Sequence, residues 1–242
     1  MWSQGDRNYG KAKHETDTKG DSQNNSLEYF IEREKTIRVL KQKGIKNLYP
    51  IQQQTYRHIY QGKDILARDR TGSGKTMAFV LPVIERFRNS RFEHRYPKFL
   101  IILPTRELAM QVHNEVESLR YRDEDDFISY VVYGKTSIED NVRRMREGVD
   151  ILVATPGRLN DLIEKGSVRL DSIEVICLDE ADEILKQGFK EEIEKVFENM
   201  KKVNKNKVQV LLFSATIPPW LKGLSEDYQA RDRPYINLIS DN

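Results

Sequence analysis

Seven short apolar runs punctuate the chain, and long stretches of helical periodicity separate them. They are Asp64–Ala67, Phe99–Leu103, Ile128–Tyr133, Ile151–Ala154, Val175–Leu178, Val208–Phe213 and Tyr235–Leu238. Most are apolar throughout rather than at alternate positions, as strands must be when both faces of their sheet are covered. The intervening segments are long enough for right-handed helical crossovers. The pattern predicts an α/β fold of three layers, a mostly parallel central sheet flanked by helices. With 38% apolar residues, 242 positions can bury one good core, so one domain is expected.

Residues 1–25 stand apart. They are polar, mixed in charge and nearly free of aliphatic side chains, so they cannot offset the entropy of ordering and read as a flexible tail before a globular unit at 26–242. The lone cysteine, Cys177, lies in an apolar run and reads as packing. No apolar run reaches the roughly 18 residues of a membrane span, and the N-terminus lacks the plan of a signal peptide. An intracellular, soluble chain, a monomer without a membrane partner, is expected. The 40 basic and 38 acidic residues leave a net charge of +2, which excludes nothing about nucleic acid.

The first run leads into "ARDRTGSGKT", Ala67–Thr76, and then into the apolar helical stretch "KTMAFVLPVIERF". Strand, glycine loop and helix are the context of a phosphate-binding loop, where backbone N–H groups and a helix N-terminus face the phosphates. Thr71, Gly72, Ser73 and Gly74 form the cradle; Lys75 reaches the β/γ-phosphates and Thr76 offers a hydroxyl to Mg²⁺. Asp69 occupies a position where the pattern has glycine. A carboxylate about 4 Å from a triphosphate would repel it by roughly 1 kcal/mol even in water-like surroundings, so Asp69 is expected to point away. Arg68, Arg70 or the loop amides would then hold it at the loop's outer edge.

Such a loop needs an acid at a strand end for Mg²⁺ and a polar group to orient the attacking water. "VICLDEAD" supplies both, because Val175–Leu178 delivers Asp179 to the strand's carboxyl end with Glu180 next. Alone, the acidic cluster has a lesser alternative reading as a solvated N-terminal cap of a helix, which its coincidence with the phosphate-binding loop weakens further. His14, His58, His94 and His113 lack metal-ligand spacing. "YRDEDD", Tyr121–Asp126, reads as a solvated loop, and "KKVNKNK", Lys201–Lys207, as a solvated helix end.

Asp179-Glu180-Ala181-Asp182 resembles the motif that names the DEAD-box RNA helicases, and further motifs follow that family's order. Gly44-Ile45 with Pro50-Ile51-Gln52 resembles the Q motif, and Pro104–Ala109, "PTRELA", resembles motif Ia. Thr155-Pro156-Gly157-Arg158 resembles motif Ib, and Ser214-Ala215-Thr216 resembles motif III. "LYPIQ" and "SATIPPWL" are similar to the Gu group of nucleolar helicases, which extends the expected location to the nucleus or nucleolus.

The resemblance implies an N-terminal RecA-like domain that uses ATP and Mg²⁺ and acts on RNA. Gln52 would read the adenine edge, Thr76 and Asp179 would hold Mg²⁺, and Glu180 would act as general base or water-positioning group. Lys75 would hold the β/γ-phosphates, while Ser214 and Thr216, near Asp182, would couple nucleotide state to RNA grip. Pro104, Thr105, Arg106, Gly134, Thr155 and Arg158 would line an RNA track that reads backbone rather than sequence. The motifs themselves do not exclude DNA.

Two positions depart from the resemblance. Leu27 aligns with an isolated aromatic that stacks on adenine, and Lys135 follows Gly134 where the family has paired glycines. No stretch resembles the arginine-bearing "HRxGRxGR" of the family's second RecA-like domain. That domain is an expected partner, and this chain alone is expected to turn ATP over barely above background. A catalytically silent, nucleotide-sensing RNA-binding scaffold is the alternative.

Overall fold

The computed structural model describes residues 24–124 and 126–239. The chain runs α1 (Leu27–Phe30), α2 (Glu34–Gln42), α3 (Pro50–Tyr60), β1 (Ile65–Arg68), α4 (Lys75–Ser90), β2 (Phe99–Ile102) and α5 (Arg106–Ser118). It continues through β3 (Ser129–Val132), α6 (Ile138–Arg146), β4 (Ile151–Ala154), α7 (Pro156–Glu164) and β5 (Val175–Leu178). The last elements are α8 (Ala181–Lys186), α9 (Lys190–Val203), β6 (Gln209–Ser214), α10 (Pro219–Tyr228) and β7 (Tyr235–Asn237). All seven expected strands form, within a residue or two of the expected bounds. Asp64 falls just before β1, and its carboxylate accepts the N–H groups of Val210 and Ala230, at 2.8 and 2.7 Å.

The strands make one parallel sheet in the order β3-β4-β2-β5-β6-β1-β7. Its two faces sort by alternate residues, since successive side chains of a strand point to opposite sides. Ile65, Ala67, Phe99, Ile101, Val175, Cys177, Leu211 and Phe213 pack under α1 to α5. Leu66, Leu100, Ile102, Ile176, Leu178, Val210 and Leu212 pack under α6 to α10. The expected three-layer α/β architecture is the one found. Because every strand runs the same way, all the strand carboxyl ends lie on one edge, where open α/β sheets place their ligands.

The helix that follows the glycine loop carries a proline, Pro82, in its interior. Proline cannot donate to the carbonyl four residues back, here that of Ala78. The Thr55 hydroxyl of α3 approaches that carbonyl at 3.5 Å, so the neighbouring helix covers the gap.

Two expectations need correcting. Tyr121–Asp126 is not a solvated loop throughout: Tyr121 and Asp126 are buried. The guanidinium of Arg88, itself buried, meets the Asp126 carboxylate at 2.6 Å and lies 3.7 Å from the Tyr121 ring centroid. A buried cation needs partners, so it draws both ends of the loop inward. The expected tail, residues 1–25, lies outside the described residues except for Asn24 and Asn25. There the Asn25 carbonyl accepts the Leu48 N–H at 2.9 Å, so the folded unit reaches back to Asn25.

Candidate functional site

Gly74 closes the loop after β1 in the left-handed region, with φ 88°, and caps α4. A Cβ there would come within 2.7 Å of Gln52 Nε2 and 2.8 Å of Tyr49 Cδ2, so glycine is required both by conformation and by space. Gln52, one turn into α3, donates from Nε2 to the Gly74 carbonyl at 3.0 Å and accepts from the Tyr49 N–H at 2.9 Å. Its amide thus ties the start of α3 to the loop. The Ser73 hydroxyl donates to the Arg70 carbonyl at 2.8 Å and tightens the turn. Thr71 and Gly72 are exposed at the tip, and Thr76 is half-buried on the first turn of α4.

Lys75 is buried, with Nζ 3.2 Å from Glu180 Oε1 and 3.3 Å from the Asp69 carbonyl. The loop after β1 and the end of β5 are therefore bridged by an ion pair. Glu180 holds φ 52°, ψ 45°, a left-handed conformation costly for a side chain with Cβ. Asp179 beside it is buried and accepts the Glu180 N–H at 2.9 Å. Burial pushes the Asp179 carboxyl up to about 7; the Lys75 ammonium pulls it back and the Glu180 carboxylate adds to the rise.

Ser214 ends β6, fully buried, and its hydroxyl accepts the Asp182 N–H at 3.0 Å. Thr216 donates to Asp182 Oδ2 at 3.0 Å. Burial alone would raise Asp182, but the Ser214 and Thr216 hydroxyls and the Glu183 N–H favour its charged form, and its pKa settles below the ordinary value. Asp69 is buried rather than placed at the loop's outer edge. Its carboxylate accepts the Arg70 N–H at 2.8 Å, and its own N–H donates to the Ser214 carbonyl at 3.1 Å.

The second group of residues gathers on the neighbouring strand ends. Pro104 and Thr105 follow β2, and the Thr105 hydroxyl accepts the Leu108 N–H at 3.2 Å to cap α5. Arg106 is exposed, its guanidinium 4.7 Å from the Tyr133 ring centroid. Gly134 and Lys135 are exposed after β3, with Lys135 at φ 65°. Thr155 follows β4 and precedes α7, which carries Arg158. Arg158 donates to the Thr136 hydroxyl at 3.0 Å, the Thr136 carbonyl at 2.9 Å and Asn141 Oδ1 at 2.6 Å. The two groups are contiguous, because β2 pairs with β5 and the Asp179 N–H donates to the Ile102 carbonyl at 3.1 Å.

Sequence reasoning missed the Lys75–Glu180 pair, the loop-bracing bonds of Gln52 and the anchors Thr136 and Asn141. The Lys75–Glu180, Gln52–Gly74 and Arg158 contacts have no local signal, since each joins segments on different elements, whereas the Gln52 bond to the Tyr49 N–H is a local cap of α3. The hydroxyl and amide ahead of α7 were visible only as polar residues.

A model of the DEAD/DEAH box helicase family matches residues 49–224. The chain belongs to that family. It is 41% identical over 224 residues to DEAD-box ATP-dependent RNA helicase 7 of Spinacia oleracea, covering 90% of this chain and 32% of that protein. It is 37% identical over 210 residues to Nucleolar RNA helicase 2 of Rattus norvegicus, covering 85% and 26%. Among solved structures, a DEAD box protein from the hyperthermophile Methanococcus jannaschii superposes with a TM-score of 0.76 at 32% identity, covering 86% of this chain and 54% of that one. The chain spans about a quarter to a third of the length of the curated relatives it matches. Among the described residues no helix is long and apolar enough to cross a membrane.

Proposed function

We propose that this chain is the ATP-binding, RecA-like half of an ATP-dependent RNA helicase, working with a second RecA-like domain to hydrolyse ATP and locally unwind or remodel RNA. The observation that carries the reading is the convergence of Lys75, Asp179 and Glu180 around the glycine loop, next to a row of hydroxyl and guanidinium groups on the adjoining strand ends.

In this reading Lys75 leaves Glu180 for the β/γ-phosphates, which frees the Glu180 carboxylate to take the proton of the attacking water. Thr71, Gly72, Ser73 and Gly74 present backbone N–H groups, with the N-terminus of α4 behind them. Gln52 exchanges its two internal bonds for the adenine N6/N7 edge, so reading the base loosens the brace on Gly74.

Thr76 and Asp179 offer hard oxygens suited to Mg²⁺, and a buried carboxyl raised to about 7 beside a lysine is a group that gains from a nearby cation. Such an ion takes one or two protein oxygens and otherwise phosphate and water. When bound, Mg²⁺ neutralises charge on the transferring phosphoryl group.

Ser214, Thr216 and Asp182 link the β6 end to the helix after Glu180, a route by which nucleotide state reaches RNA. Pro104, Thr105, Arg106, Gly134, Thr155 and Arg158 contact phosphate and sugar without reading sequence. We place the protein in the nucleus or nucleolus on the strength of a relative named as a nucleolar RNA helicase.

The test is ATP turnover, with and without single-stranded RNA, by the full-length protein and by this chain alone. The full-length protein is expected to be RNA-stimulated. These 242 residues alone, in which no stretch resembles the arginine-bearing "HRxGRxGR", are expected to lose on the order of 10³ or more in rate. Absence of turnover by the full-length protein would favour a nucleotide-sensing scaffold.

A further inference from the structure

Beside the far end of α3 lies a cavity of about 400 Å³ to which neither the nucleotide nor the RNA reading gives a role. Its wall is aromatic. Phe30 meets Tyr56 edge-on with 5.8 Å between ring centroids, and Tyr56 stacks with Tyr60 at 6.0 Å. Asn89 of α4 lines it as well. Tyr60 stands eight residues beyond Gln52 along α3, and Asn89 fourteen beyond Lys75 along α4, which sets that end of the cavity roughly 12–21 Å past the glycine loop.

Two groups in this cavity await a partner. Tyr56 is 4% exposed, yet among the described residues no hydrogen bond reaches its hydroxyl. Burial raises its pKa, and Glu85, Tyr60 and Glu32 add to the rise, each by more than the opposing Arg33 takes away. The hydroxyl therefore sits in a negative field. Most of the charges around it are already engaged: Arg33 lies 3.7 Å from Glu85, Glu85 meets Arg88 at 2.9 Å, and Glu28 pairs with Lys41. Arg57 rests on the Tyr29 ring, 4.7 Å from its centroid. Glu32 is exposed and has no ion pair among the described residues. Aromatic faces, a buried phenol without a partner and an unpaired carboxylate together suit a cation.

We infer that this cavity is a docking site for an arginine side chain presented by a partner peptide. A guanidinium is planar and rich in donors, so it can lie against Tyr60, give an N–H to the Tyr56 hydroxyl oxygen and pair with Glu32 at the same time. Arg57 on Tyr29 displays the same packing within the chain. A compact ammonium would supply the charge without the flat face. The ordinary alternative is a water-filled notch between two helices.

The test is a ligand-observed NMR titration of the full-length protein with the peptide Ac-Ala-Ala-Arg-Ala-Ala-amide, and with its citrulline counterpart, which keeps the planar shape and loses the charge. The arginine peptide should bind saturably and the citrulline peptide about tenfold more weakly. Tyr56→Phe keeps the ring and should weaken the arginine peptide by about tenfold, while Glu32→Gln, at an exposed position, should weaken it by about threefold. Thermal melting verifies that both variants fold. Equal binding of the two peptides overturns the inference, as does unaltered affinity in either variant or the lack of saturable binding up to about 10 mM. Arginine amide bound as tightly as the pentapeptide would assign the cavity to a free small molecule and overturn the peptide as its source.

Discussion

At the ends of β1, β5 and β6 the polar side chains are mostly buried and bonded to one another, whereas at the ends of β2 and β3 the cationic ones, Arg106 and Lys135, stay in contact with water. Lys75, Asp179, Asp182 and Ser214 have little exposure, and each has a partner within the group. Arg106 and Lys135 are exposed, and Arg158 is half-buried. The same sheet edge therefore holds two electrostatic regimes. In the buried half, charges act at short range in a poorly screened medium, and one lost partner leaves an expensive orphan. In the exposed half, charges are screened by salt and act additively on a polyanion.

The largest effect should come from the buried half. Glu180→Gln keeps the shape of the side chain but removes the basic oxygen, so turnover by the full-length protein should fall by about 10²–10⁴ while ATP binding persists. Steady-state turnover paired with equilibrium binding measures both. Near-normal turnover would take Glu180 out of the catalytic role and weaken the contrast between the halves.

Asp179→Asn probes the same half through stability. A carboxyl whose folded pKa is about 7, above the ordinary 3.8, favours folding when protonated and opposes it progressively as pH rises through that window. The asparagine variant escapes this opposition. Without nucleotide or Mg²⁺, its stability relative to the unaltered protein should therefore grow between pH 5 and pH 8, on the order of a few kcal/mol. Denaturant titrations at the two pH values decide the matter, and a pH-independent difference would mean that Asp179 is already charged in the fold.

In the exposed half, Arg158 and Arg106 should separate. Either alanine variant should weaken RNA binding about tenfold across sequences and lower the salt slope by about 1. Arg158→Ala should also quicken amide exchange in 133–137, because its guanidinium holds both the hydroxyl and the carbonyl of Thr136. Faster exchange with unchanged RNA affinity would make Arg158 a structural anchor only.

The sheet was legible because its signal is local and repeated: apolar runs of strand length, spaced for crossovers, need no knowledge of what they pair with. Gly74 and Lys75 were legible because a phosphate loop is contiguous in sequence. Glu180 was found by adjacency to Asp179, but its left-handed backbone was not, since that region ordinarily belongs to glycine or asparagine. The burial of Tyr121 and Asp126 was hidden for a different reason. Their partner Arg88 sits on α4, far off in sequence, and composition cannot show that a charge-rich loop closes over a buried cation.

Asp69 tests the boundary between the regimes with the smallest expected effect. It stands in the buried half, where a carboxylate facing the phosphates would repel them by roughly 1 kcal/mol at about 4 Å in water-like surroundings and by several times that in a drier site. Its observed bonds point elsewhere: the carboxylate takes the Arg70 N–H, and the backbone N–H is tied to Ser214. A buried acid bonded into its own turn stiffens the loop instead of facing the ligand. Asp69→Ala should therefore cost about 1 kcal/mol of stability, the worth of one such hydrogen bond, and change nucleotide affinity by well under tenfold. Nucleotide titration alongside thermal melting measures the two together. A tenfold gain in affinity would mean that the carboxylate acts on the phosphates after all, as a brake that a second domain and RNA must overcome, and the line between structural and functional charges in this half would have to be redrawn.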